Sequence, residues 1–84
     1  MTEEVLFKME KEMSNSKIAE HLRNIADKIE KGEPINLESG VETAELATNR
    51  PAEFEIKAER ENGEESLELE IEWSTAENEE FKIN

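Results

Sequence analysis

The chain has 84 residues, 23 acidic and 10 basic, a formal net charge of −13 and no cysteine. That length allows one modest core, and the missing thiols exclude disulfides, thiolate metal sites and cysteine nucleophiles. The charge repels nucleic acid and anionic membrane and attracts cations and basic proteins.

Charged residues make up 39% of the chain and hydrophobic ones 35%, close to the composition of disordered proteins. The apolar residues are nevertheless sorted by period, which an unfolded chain has no need to do. The charge is sorted too. Residues 1–31 hold seven acids against six bases, whereas residues 32–84 hold sixteen acids against four bases. No apolar run reaches the length of a membrane span, and no signal-peptide core follows Met1, so the expected location is the cytoplasm.

In residues 3–10, Val5, Phe7 and Met9 alternate with Leu6, Lys8 and Glu10, predicting a first strand. Ser14, Asn15 and Ser16 follow as N-cap candidates, with Ser14 favoured. Ile18, Leu22, Ile25, Ala26 and Ile29 then form one stripe of an amphipathic helix that runs to Lys31. Lys28 and Lys31 complement the dipole of its last turn, and Asp27 is spaced to pair with Lys31. Gly32 is placed as a left-handed terminator, and Pro34 stops the helix from resuming. Ile35 and Leu37 suggest a short strand, Ser39 and Gly40 a turn, and residues 41–46 a second strand.

The last hairpin is the most sharply specified part of the sequence. Ala52, Phe54, Ile56 and Ala58 alternate with Glu53, Glu55, Lys57 and Glu59, while Leu67, Leu69, Ile71 and Trp73 alternate with Glu68, Glu70 and Glu72. Asn62-Gly63 between them is the dipeptide best suited to a type I′ turn. A two-residue loop there pairs Ala58 with Leu67, Ile56 with Leu69, Phe54 with Ile71 and Ala52 with Trp73. A slip by one residue would break all four matches. The same register sets Glu55 opposite Glu70 and Glu53 opposite Glu72, two like-charge pairs of the kind that destabilise a sheet. Lys57 opposite Glu68 is the one favourable pair on that face. Residues 75–84 read as a polar C-terminal tail, with Phe81 and Ile83 as the basis for a short added strand.

Three features together resemble the amphi-Trp domain family of small prokaryotic proteins: the opening Glu3-Glu4-Val5-Leu6-Phe7, the capped helix from Ile18 to Glu30, and the alternating strand that ends at Trp73. The resemblance implies a fold module and carries over no catalytic residues.

The expected architecture is therefore an α+β two-layer domain over residues 1–74. One amphipathic helix lies on one face of an antiparallel β-sheet of four to five strands, in the order β-α-β-β-β-β. Its expected core is Phe7, Ile18, Leu22, Ile25, Ile29, Phe54, Ile56, Leu69, Ile71 and Trp73. Trp73 reads as a core or rim anchor, or as a binding residue at a strand end.

The functional candidate is the face of Glu53, Glu55, Glu68, Glu70 and Glu72, together with Trp73. Such a face can engage a basic protein, mimic phosphates, share a hard divalent cation, or simply keep the sheet edge soluble. A flat row offers a cation few converging oxygens, and no calcium-loop spacing is present. The single histidine, His21, has neither a cysteine nor a second histidine with which to build a zinc site. Ser14, Ser16 and Ser39 are explained by capping and turning, and no phosphate-binding glycine loop occurs. The expectation is thus a non-enzymatic interaction module without a cofactor, its partner a basic protein or a second copy of the chain. The alternative is an acidic cation-binding or salt-adaptive domain.

Overall fold

Ser14 is the N-cap of the helix, as predicted. Its backbone is extended and its Oγ accepts a hydrogen bond of 3.1 Å from the Lys17 amide, satisfying one of the orphan donors of α1 (Asn15–Lys31). At the other end Gly32 takes φ +69°. Its amide bonds to the Ile29 carbonyl and that of Glu33 to the Lys28 carbonyl, which is the Schellman pairing. Lys31 and Asp27 form the expected ion pair at 3.2 Å. The computed structural model describes residues 3–75. The chain divides into two compact units, Met1–Asn49 and Arg50–Asn84.

In the first unit α1 packs against β1 (Ile35–Ser39), which pairs antiparallel with β2 (Glu42–Leu46). The register sets Ile35 opposite Leu46 and Leu37 opposite Ala44, so one face of this hairpin is apolar. Gly40 supplies positive φ at the first central position of the two-residue turn, the requirement of a type II′ turn. Val41, expected within a strand, is the second turn residue and is fully exposed. Thr48 is buried, and its Oγ1 donates a 2.7 Å hydrogen bond to the Glu33 carbonyl, fastening the chain beyond β2 to the segment that leaves the helix.

The second unit holds β3 (Ala52–Glu61) and β4 (Glu64–Trp73), an antiparallel pair of ten-residue strands. At the usual rise this ribbon is about 33 Å long. The register is the predicted one throughout: Ala52 faces Trp73, Phe54 faces Ile71, Ile56 faces Leu69 and Ala58 faces Leu67. Asn62 and Gly63 both have positive φ, 52° and 81°, as a type I′ turn demands. At the open end Arg50 donates from Nη1 to the Ser74 carbonyl at 2.5 Å.

Three expectations are corrected. The order is α-β-β-β-β, not β-α-β-β-β-β, because residues 3–10 form no strand. Alternation makes a segment fit a pleated surface, but a strand also needs a neighbour to take its backbone hydrogen bonds. Residues 3–10 have none among the described strands. The strands form two separate two-stranded sheets, not one sheet of four to five strands with a helix on one face. Each hairpin is closed by its own two-residue turn, and nothing in an alternating pattern specifies which edge of which hairpin should adjoin another.

The expected core is also revised. Ile35, which was not among the predicted core residues, is the buried apolar residue of the described chain. Phe7, Ile25, Ile29, Ile71 and Trp73 are half-buried, while Ile18, Leu22, Phe54, Ile56 and Leu69 are exposed. The reason in the second unit is that a ribbon is a single layer, and burying an apolar face takes a second layer. The predicted tail, residues 75–84, lies outside the described residues from residue 76 onward, and its added-strand alternative on Phe81 and Ile83 with it.

Candidate functional site

The residues singled out from the sequence divide by strand parity. Side chains of a strand alternate between faces, so Glu53, Glu55 and Lys57 of β3 share one face with Glu68, Glu70 and Glu72 of β4. Trp73 lies on the other, opposite Ala52. The structure therefore brings the five glutamates together and separates the tryptophan from them.

Glu53, Glu55, Glu70 and Glu72 line one shallow depression in the ribbon. Glu53 opposes Glu72 and Glu55 opposes Glu70, so four carboxylates occupy two adjacent rows. Glu68 belongs to the next row, opposite Lys57. That lysine turns along its own strand to Glu59, at 3.3 Å, instead of crossing to Glu68. The predicted relief of charge in that row is thus spent on a neighbour.

The crowding has an electrostatic consequence. Glu70 is held above the ordinary glutamate value of 4.5, first by the hydrogen bond it shares with Glu55, then by the nearby charge of Glu72. Both causes favour the protonated form of Glu70. A lysine brought to the depression would oppose that shift.

One row passed over in the sequence reading is Arg60 with Glu65. These residues oppose each other on the apolar face, one row beyond Ala58 and Leu67, and close it next to the turn. Arg60 binds Glu65 Oε2 through Nε at 2.8 Å and Nη2 at 2.7 Å. Counting one row further from the Asn62-Gly63 turn would have located the pair.

Among the described residues no group of three or more histidine, aspartate or glutamate side chains is arranged to hold a metal ion. A calcium site needs six to eight oxygens converging on one point, and the described carboxylates form no such group. No helix among the described residues is long and apolar enough to cross a membrane.

The sequence model of the Amphi-Trp domain matches residues 1–84, the whole chain. The chain belongs to the Amphi-Trp family. In this Amphi-Trp domain the amphipathic strand and its terminal tryptophan are β4 and Trp73, and the helix is α1 with both of its predicted caps. Comparison with curated proteins and with solved structures gave no match.

Proposed function

We propose that this Amphi-Trp domain is a small non-enzymatic interaction module, acting in the cytoplasm, whose acidic ribbon face engages a basic protein. The observation that supports the reading is the pair of glutamate rows, Glu53–Glu72 and Glu55–Glu70, where side-chain crowding raises the pKa of Glu70. Like charges in facing positions cost stability, and the register that produces them is dictated by the apolar side of the ribbon. The cost is recovered when a lysine or arginine side chain enters the depression, because a charge-assisted hydrogen bond then replaces a repulsion. Partner selection by such a face is electrostatic, so it speeds encounter and weakens with salt.

The test is titration of the full chain with a lysine- and arginine-rich peptide, followed by calorimetry at two ionic strengths. The expected result is binding that weakens with salt and falls at least tenfold when Glu55, Glu68, Glu70 and Glu72 are all changed to glutamine. Capture from a native extract with both chains then identifies the partner. Unchanged binding by the glutamine variant would sink the assignment of this face. The competing reading as a cation-binding domain predicts a rise in melting temperature with millimolar Ca²⁺ or Mg²⁺ beyond that produced by potassium chloride of the same ionic strength.

A further inference from the structure

The opposite face of the ribbon poses a separate problem. Phe54, Ile56, Leu67 and Leu69 are 62%, 58%, 65% and 45% exposed, and they lie side by side in three consecutive rows. Isolated two-stranded hairpins are marginal in water, and a contiguous apolar patch of this kind marks an interaction surface. We infer that the apolar face of β3–β4 packs against the same face of a second copy of the chain, forming a two-layer sandwich related by a two-fold axis along the ribbon.

The occupant follows from the pattern of side chains. A two-fold axis along the ribbon lays each row over its own counterpart with the strands exchanged. Trp73 then covers Ala52 of the second copy and Leu67 covers its Ala58, so large residues meet small ones in both rows. The two central rows set Phe54 against Ile71 and Ile56 against Leu69, which are matched in size. In the fifth row Arg60 meets Glu65 of the second copy, and Glu65 meets its Arg60, so the intrachain ion pairs become a four-membered alternating network. The other two-fold arrangement, with the axis across the strands, sets Trp73 over a glutamate and Ala52 over an arginine. Size and charge therefore select one geometry of the two.

Area and charge agree with it. The face presents on the order of 600 Å² per copy, judged from the exposures above and the surface that aromatic and aliphatic side chains carry. Two copies together remove about 1,200 Å², the lower limit of stable interfaces. Stacking the apolar faces also turns both glutamate faces outward, on opposite sides of the sandwich, which keeps Glu53, Glu55, Glu68, Glu70 and Glu72 of one copy away from those of the other. Such a dimer presents two acidic faces, and a partner with two basic segments would bind it with avidity. The dimer itself does not depend on the acidic face having a partner.

Sedimentation equilibrium of the full chain tests the proposal. The expected mass is twice the 9.7 kDa of one chain. The decisive variants are Arg60→Glu and Glu65→Arg, whose side chains are 79% and 67% exposed within one copy. Each alone puts four like charges into the fifth row, and its dimer is expected to dissociate at least tenfold more readily. An equimolar mixture of the two variants restores both intermolecular pairs although each chain still carries like charges within its own row. Recovery of the dimer in the mixture can therefore come only from contact between chains. A single-chain mass for the unaltered protein at all concentrations would overturn the proposal, showing that the chain's own residues or a different protein cover the face. So would a dimer indifferent to both variants and to their mixture.

Discussion

At Glu70 two facts of register meet: Glu55 lies directly across and Glu72 lies one row away. Its raised pKa means that the folded state binds a proton more tightly than the unfolded one, so folding gains stability as pH falls. That contribution is complete below the ordinary value of 4.5 and is lost as pH rises through the raised one. Melting temperatures followed from neutral pH downward should rise through this window. The rise should be smaller in Glu70→Gln, which keeps the shape of the side chain and removes the titration; identical profiles would show that Glu70 does not contribute to it. Thr48 offers a second test at this scale. Its hydroxyl is buried and donates to the Glu33 carbonyl. Thr48→Val should cost about 1 kcal/mol, the usual net worth of such a bond, read as a lower denaturant midpoint at unchanged slope.

Among the elements, α1 shows how far local chemistry can specify a structure. Ser14, Gly32 and the stripe between them state where the helix starts, where it stops and which face is apolar, and the structure follows all three. Ser14→Ala should reduce stability by about 1 kcal/mol, seen as loss of helical circular dichroism at a lower temperature. The β3–β4 hairpin was equally legible, since its turn demands two residues of positive φ and Asn62-Gly63 supplies them. Gly63→Ala, forced into φ +81°, should destabilise the hairpin by roughly 1–2 kcal/mol. The readout is faster amide exchange in β3 and β4, with exchange in α1 unchanged. Residues 3–10 had a pattern of the same kind and form no strand. In the hairpin a favoured two-residue turn names the partner of β3, while the N-terminal segment depended on a neighbour that sequence pattern alone could not name.

For the whole molecule the governing quantities are charge and uncovered apolar surface. With −13 on 84 residues, self-repulsion opposes the compact state, and screening should relieve it. The melting temperature is expected to climb as sodium chloride is raised, most steeply at low salt, where the screening length is longest. A flat or falling curve would show that the ion pairs of the first unit, Lys17 with Glu20, Lys31 with Asp27 and Lys28 with Glu33, outweigh the repulsion. The family assignment belongs to this scale as well. The opening residues, the capped helix and the strand ending in Trp73 pointed to the Amphi-Trp family, and the match runs over residues 1–84.

The amino-acid sequence alone determined whatever local spacing fixes or a favoured turn propagates outward. That covers the helix and both its ends, the Asn62-Gly63 turn, the register of β3 with β4, and so the glutamate rows of the candidate site. It also placed Trp73 on the apolar side, although the candidate set had grouped it with the acids. The tertiary structure decided what is buried and what pairs across larger separations. The strands became two ribbons, Ile35 became the buried apolar residue, and Phe54, Ile56, Leu67 and Leu69 were left exposed. The physical reason is that turn geometry and side-chain alternation are local and directional, so a sequence can state them. Hydrophobic burial has no direction: an apolar face asks only to be covered, and the pattern that creates it does not say by what.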